Sequence, residues 1–334
     1  MHAFLLKRIL LLIPSLIGVT LMVFVISHVV PADPVGIALG PEATPEQIHA
    51  LRKTWDLNHP LYVQYGIFLK NLLRGDLGYS LVSKRAVTEE LLYYFPATFE
   101  LTTASMILSV ILGIFIGIVS AVYRNRFFDH LARTYCLFGI SMPVFWLGLL
   151  LLLLFYVKLG WLPGGGRIAD GIPVDRISGF LILDTLLTGN WKGLGSALLH
   201  LALPAFCLSS SFLATISRIA RSSVLQVSRE DYVRTARAKG VPEFLVLAKH
   251  VLRNSLLPVI TISGILYGQL LGGAVLTETI FSWPGMGRYV VRSILHLDFQ
   301  PILGFTVLVA VLYALANLVV DLLYSVVNPQ IRLE

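Results

Sequence analysis

The chain has 334 residues, 56% of them hydrophobic and only 13% charged, with a formal net charge of +7 and a mean hydropathy of +0.78. Soluble domains carry about a quarter charged residues, so this composition describes an integral membrane protein. The 26 Lys and Arg are dispersed over several loops, which leaves no basic face for nucleic acid, and both cysteines, Cys136 and Cys207, fall within apolar runs, so no disulfide framework is indicated.

Apolar runs long enough to cross about 30 Å of hydrocarbon occur near residues 9–30, 101–123, 134–157, 197–217, 256–280 and 302–327. The expected fold is an all-α membrane bundle of six transmembrane helices. Val-Val-Pro-Ala-Asp-Pro follows the first run where a signal peptide would show a small-residue cleavage site, so the run reads as a retained span. The division expected is residues 1–98, the first span plus an external amphipathic segment, and residues 99–334, a five-helix core with a cytoplasmic loop over 218–254. In the external segment, Thr44, Pro45 and Gln47 form a helix start with Ile48, Leu51 and Trp55 on one face. A second amphipathic stretch covers 60–70 and stops before Asp76 and Gly78.

Further along, Gly113 and Gly117 share a face of the second run and permit close backbone approach. Residues 162–167, Leu-Pro-Gly-Gly-Gly-Arg, read as a turn; no Gly-x-x-x-x-Gly-Lys-Ser/Thr occurs, so the chain holds no ATP through a phosphate loop. Residues 179–187 are too short to span and carry Asp184, which places them in a loop. In the fifth run Gly264, Gly268 and Gly272, with Gln269 beside them, predict a tight helix interface or a stretch of the translocation path. Glu278, before a Trp-Pro-Gly turn, either lines the mouth of a path or stands hydrated in an interfacial belt. Asp321 lies about 9 Å inside the end of the sixth run at 1.5 Å per residue, close enough to the interface to hydrate or pair. Lys and Arg are densest at the N-terminus, near 124–133, in 218–254 and in the C-terminal tail, which puts both termini in the cytoplasm.

Residues 228–258 are the most informative stretch, a basic helix–Gly–helix between two apolar runs. Ser228 is expected as an N-cap with Asp231 as its box partner, and Glu230 and Asp231 fall in the first turn. Arg234, Arg237 and Lys239 fall in the last turns, Gly240 ends the helix, and Pro242 with Glu243 starts the next. The arrangement predicts a short docking helix on the cytoplasmic face. No catalytic or metal-binding constellation accompanies it. A transport subunit fits these features best; a channel or a membrane receptor is the other class open at this point.

Asp231-Tyr-Val-Arg-Thr-Ala-Arg-Ala-Lys-Gly240 followed by His250-Val-Leu-Arg-Asn-Ser-Leu-Leu-Pro258 resembles the cytoplasmic signature of binding-protein-dependent ABC importer permeases. Residues 6–14, 31–34, 74–80, 277–288 and 321–332 resemble its dipeptide and oligopeptide branch, so the similarity runs nearly end to end. The general signature begins Glu-Ala-Ala where this chain has Arg234, Thr235 and Ala236, a departure the peptide branch tolerates. The resemblance implies a multi-pass protein of the bacterial inner membrane with a type I importer permease fold. It implies as partners a second homologous permease, two cytoplasmic ATPase subunits that hold ATP and Mg, and a periplasmic or lipid-anchored substrate-binding protein. No cofactor is expected on this chain. Glu230, Asp231, Arg234, Thr235, Ala236, Arg237 and Gly240 are then the ATPase-coupling residues, with Ala236 and Gly240 allowing close approach and Arg234 and Arg237 meeting acidic groove residues. Dipeptides or short oligopeptides are the expected substrates, with glutathione or nickel as alternatives.

Overall fold

The computed structural model describes residues 2–29, 34–39, 43–54 and 58–327. Trp55 and residues 328–334 lie outside the described residues, as do the side chains of Ile48, Leu51 and Asp321. Among the described residues the structure is helical, with one isolated antiparallel bridge, Tyr79 to Ala86. The helices are α1 (His2–Val29), α2 (Pro34–Leu39), α3 (Pro45–Thr54), α4 (Leu61–Leu73), α5 (Val87–Val122), α6 (Phe127–Ser141) and α7 (Val144–Leu151), which continues as a π-helix over Leu152–Lys158. They are followed by α8 (Leu181–Leu187), α9 (Trp191–Val227), α10 (Asp231–Ala238), α11 (Glu243–Leu245) with a π-helix over Val246–Leu252, α12 (Arg253–Gly273), α13 (Val275–Ile280), α14 (Met286–Leu295) and α15 (Phe299–Val327).

Four helical stretches among the described residues are long and apolar enough to cross a membrane: α5, α9, Glu243–Gly272 and Phe299–Val319 of α15. The run 134–157, read from sequence as one span, is instead α6 and α7 bent by 108° at a break between them. Pro143 causes the break. It supplies no N–H to the preceding turn and forces Met142 into extended backbone (φ −82°, ψ 124°), so α6 ends and α7 starts in a new direction. The fifth run also ends early, at Gly273, with α13 beginning after Ala274.

The chain divides into two compact units, Met1–Pro96 with Gly285–Ala314, and Ala97–Pro284 with Leu315–Glu334. Sequence did not anticipate that α14 and the start of α15 join the N-terminal residues. Buried polar contacts tie them there. Glu90 accepts from Ser83 Oγ (2.8 Å) and Tyr289 OH (2.5 Å), and Asp298, fully buried, accepts from Ser80 Oγ (2.6 Å) and the Val82 amide (3.2 Å). Burial, and then the Glu90 carboxylate, push the Tyr289 hydroxyl well above its ordinary value, so it remains a donor. In the same unit Tyr65 of α4 packs edge-on against Phe24 of α1 (5.3 Å between centroids). The Thr44–Gln47 capping box forms as read, with Thr44 N to Gln47 Oε1 at 3.0 Å and Gln47 N to Thr44 Oγ1 at 3.3 Å.

The second unit is built around α9, against which α6, α7, α8 and α12 pack. Its buried face is a ladder of small residues, including Ser209, Ser210, Ala214, Ser217 and Ala220, and in lipid such residues let backbones meet closely. A Cβ on Gly113 would stand 2.8 Å from Ile216 Cγ2, and one on Gly117 would stand 2.6 Å from Ala220 Cβ and 2.7 Å from the Ser217 carbonyl. Gly139 of α6 would meet the Ser210 carbonyl at 3.1 Å. The α8 region, placed in a loop by sequence, is helical because Asp184 does not face water. Its carboxylate accepts from the amides of Ile177 (3.3 Å), Ser178 (2.8 Å) and Gly179 (2.9 Å) and from Ser178 Oγ (2.6 Å).

Two outcomes follow from these contacts. Gly117→Val forces α5 away from α9 and lowers stability by about 2 kcal/mol, the usual size of overpacking, read as a fall in melting temperature of the detergent-solubilised protein. Burial pushes the Asp184 carboxyl up, but Ser178 and the three amides outweigh it and hold it below its ordinary value. Its folded pKa being depressed, Asp184 contributes stability that is complete above the ordinary carboxylate range and lost as pH falls through the folded value. Asp184→Asn should therefore melt lower than wild type at neutral pH, by about 2 kcal/mol for a charge-assisted set, with the gap closing in acid.

Candidate functional site

The segment expected to dock begins where α9 ends, ten residues beyond the sequence-based limit of 217. That extension corrects the reading of Ser228: it is the C-cap of α9, its Oγ donating to the Val224 carbonyl at 2.6 Å, and so is not the N-cap of α10. Glu230, exposed and in extended backbone, takes the N-cap position with no side-chain cap bond. At the other end Lys239 is the C-cap. The Gly240 amide donates to Arg237 O (2.9 Å) and the Val241 amide to Ala236 O (3.3 Å), a Schellman closure that needs φ +75° at Gly240. A Cβ at Gly240 would meet nothing within 4 Å, so glycine is required there for its backbone alone.

Two residues of α10 face inward: Val233 and Ala236 are buried against Ala121, Val224, Val246 and Val251. Ala236 therefore anchors the helix to its own bundle. Asp231, Tyr232, Arg234, Thr235, Ala238 and Lys239 are exposed. Among the described residues the Arg234 side chain reaches only Asp231, at 3.3 Å, with both side chains largely in solvent. Arg237 is engaged within the loop. Its guanidinium forks onto Glu243 (Nε–Oε2 3.0 Å, Nη2–Oε1 2.7 Å) and its Nη1 donates to Ser228 O at 3.2 Å. Asn254 donates to Tyr232 OH at 2.8 Å, which ties α10 to α12.

Beneath α10 lies a buried ion pair that sequence reasoning missed. Asp129, fully buried, accepts from Arg221 Nε and Nη2, both at 2.8 Å, from Ser120 Oγ at 2.6 Å and from the Asn125 amide at 2.9 Å. The fork joins the end of α5, the start of α6 and α9, and its partners stand 92 residues apart, so no local pattern reveals it.

The other candidate residues sit on α12 and α13. Gly268 is buried, Gly264 and Gly272 half-buried, and Gln269 exposed. Glu278, expected on the path, in a helix interface or hydrated in a belt, is not hydrated: it is fully buried and accepts from Thr98 Oγ1 of α5 at 2.7 Å. Trp283 is buried beside it, its Nε1 donating to Ala97 O at 2.8 Å. The Arg167 guanidinium lies 5.9 Å over the Trp283 ring and pairs with Glu100, which also accepts the Ile182 amide at 2.8 Å. The glycine turn seats this arginine, since a Cβ on Gly165 would stand 2.8 Å from the Phe281 carbonyl. Glu100 was not singled out by sequence, and Arg167 and Trp283 figured there only as members of turns, at 162–167 and at the Trp-Pro-Gly after Glu278.

A helical membrane bundle that encloses buried carboxylates and presents a rigidly capped polar helix is built as a transport permease. The chain belongs to the binding-protein-dependent transport system inner membrane component family, which matches residues 113–333, with the N-terminal component of the same systems matching residues 1–102. It is 44% identical to the dipeptide transport system permease protein of Alkalihalophilus pseudofirmus, over 99% of this chain and 100% of that one. It is 47% identical to the probable D,D-dipeptide transport system permease protein of Escherichia coli, over 94% and 93%, and 44% identical to the glutathione transport system permease protein of Pectobacterium atrosepticum, over 98% and 97%. The fold is shared with an inward-facing MetNI methionine ABC transporter, at a TM-score of 0.52 and 16% identity over 71% of this chain and 96% of that one.

Removing one partner of a buried ion pair leaves the other uncompensated. Asp129→Ala or Arg221→Met alone should cost about 3 kcal/mol in thermal unfolding of the solubilised protein. The double substitution should cost clearly less than the two added together.

Proposed function

We propose that this chain is one permease subunit of an ATP-driven importer of dipeptides or short oligopeptides in the bacterial inner membrane. It works with a second homologous permease, two cytoplasmic ATPase subunits and an external substrate-binding protein. The observation that carries the substrate is near full-length identity of 44% and 47% to two permeases named for dipeptides. A relative named for glutathione, itself a short peptide, at 44% favours that compound as the second reading. Six spans with both termini in the cytoplasm belong to the proposal; the four long apolar stretches, the bent α6–α7 pair and the shorter apolar Leu10–Ile26 support the count.

In this reading α10 is the part that the ATPases grip, and its residues divide the work. Glu230, Asp231, Arg234 and Thr235 face the partner. Ala236 is the anchor, and Arg237 and Gly240 hold the loop in shape through Glu243 and the left-handed cap. Closure of the ATPases on nucleotide moves α10, and the buried Val233–Val246–Val251 contacts carry that motion into α9 and α12. Gln269, exposed on α12 beside its glycines, faces the path or the second permease.

The test is uptake by the complete transporter in proteoliposomes, with labelled dipeptide competed by a panel of dipeptides, tripeptides and glutathione. Dipeptides should compete best; competition by glutathione alone would replace the peptide reading with the second one. In the same assay Arg234→Glu, whose exposed pair contributes little to folding, should lower uptake about tenfold or more, the order expected for one reversed interfacial charge. Its amount in the membrane should stay unchanged. Equal uptake at equal expression would show that Arg234 takes no part in coupling.

A further inference from the structure

The turn between α5 and α6 and the last turns of α9 enclose an open cavity of about 670 Å³, and four guanidinium groups line it: Arg124, Arg133, Arg221 and Arg229. Arg221 is fixed in the wall by its fork to Asp129. Arg133 stands 2.8 Å from His130 Nδ1 and 3.9 Å from Asp129. Arg124 and Arg229 are exposed, and no side-chain hydrogen bond or ion pair engages either guanidinium among the described residues. Against them stand Glu230 and Asp231, the latter paired with Arg234. Asp129 has its carboxylate satisfied, so it offers nothing to a cation in the cavity. Unengaged arginines lining one concave site, with Arg221 fixed in its wall, fit an anion with several oxygens, and the planar fork of guanidinium matches phosphate.

The position of the cavity narrows the source of that phosphate. Two apolar helices long enough to span, α5 and α9, end here at Val122 and Val227. The turn beside it carries three exposed aromatic residues, Tyr123, Phe127 and Phe128, with the Phe128 ring 5.8 Å from each of the other two. Exposed aromatics at the end of a span mark the depth of lipid headgroups. The cavity therefore lies at the depth of lipid phosphates, and the exposed aromatics that flank Arg124 and Asn125 of its lining in sequence offer an apolar shelf for the first part of an acyl chain. An acidic protein segment would have no use for that shelf.

We propose that this cavity is a binding site for the phosphate of an anionic phospholipid, clamped by Arg124 and Arg229 and backed by Arg221. Because Glu230 and Asp231 of the α10 start form part of its wall, an occupied site fixes the base of the docking element. The lipid composition of the membrane then sets how readily that element moves. Binding itself does not depend on which solute the transporter carries.

The purified, delipidated complete transporter is titrated with phosphatidylglycerol, with phosphatidylcholine and with inorganic phosphate, and bound molecules are counted by native mass spectrometry. The variant Arg124→Gln/Arg229→Gln removes two exposed, unengaged side chains and should melt as wild type does. One phosphatidylglycerol should bind wild type in preference to phosphatidylcholine, and the variant should bind it roughly thirtyfold more weakly, the effect of two cations at a membrane surface. Equal phosphatidylglycerol affinity in the variant overturns the proposal. So does displacement of the lipid by millimolar inorganic phosphate, which assigns the cavity to a soluble anion. Loss of the ATPase subunits from the variant with lipid affinity intact overturns it too, in favour of an acidic protein contact.

Discussion

Apolar side chains gain nothing by leaving lipid for a neighbouring helix, so the second unit rests on how closely its helices can approach α9. The small residues of α9 set that distance. Gly113, Gly117 and Gly139 touch its backbone carbonyls or methyl groups where any larger residue would collide, and the Ser109 hydroxyl reaches across to the Ser209 carbonyl at 3.1 Å. Dispersion over such a seam needs no water to drive it. The helices that carry α10 and the buried carboxylates of this unit inherit their positions from this seam.

Buried charge then works as a set of pins. Asp129, Asp184 and Glu278 each lie within their unit with donors already aimed at them, and Glu100 is matched by Arg167. Such groups are costly to bury and still more costly to strip of one partner, so they specify one arrangement of helices more than they add stability. Asp298 is the exception in degree: its Oδ2 is satisfied while its Oδ1 meets no donor among the described residues.

Legibility followed range along the chain. The Thr44–Gln47 box, the stop at Gly240 and the restart at Pro242 were readable because each is closed by residues within a few positions. The α10 helix was therefore visible in full except at its start, where Ser228 had two equally local uses and α9, by running on to Val227, took it. The bend at Pro143 was hidden by hydropathy, which does not register direction. Asp184 misled because one carboxylate in a short apolar stretch looks like a loop until its backbone donors are counted. Spacing announced that Gly113 and Gly117 share a face, but only the fold shows that Ala220 and Ile216 stand opposite. Pairs such as Asp129 with Arg221, or Glu100 with Arg167, join distant segments and leave no trace in either. The settings of Arg234 and Arg237, alike in sequence, separate for the same reason: Arg234 meets Asp231 of its own helix in solvent, whereas Arg237 forks onto Glu243 of the next helix.

The mounting of α10 has a mechanical meaning. Val233 and Ala236 rest on residues of α5, α9 and the helix leading into α12, Arg237 grips the end of α9 and the next helix together, and Tyr232 receives Asn254. A segment of eight residues bolted at so many points has no slack. A load applied to it cannot be absorbed by swivelling or by bending the loop; it is divided at once between α9 and the helix that continues into α12. Those two long members are thereby tied through one stiff bracket, so neither can shift at this end without the other.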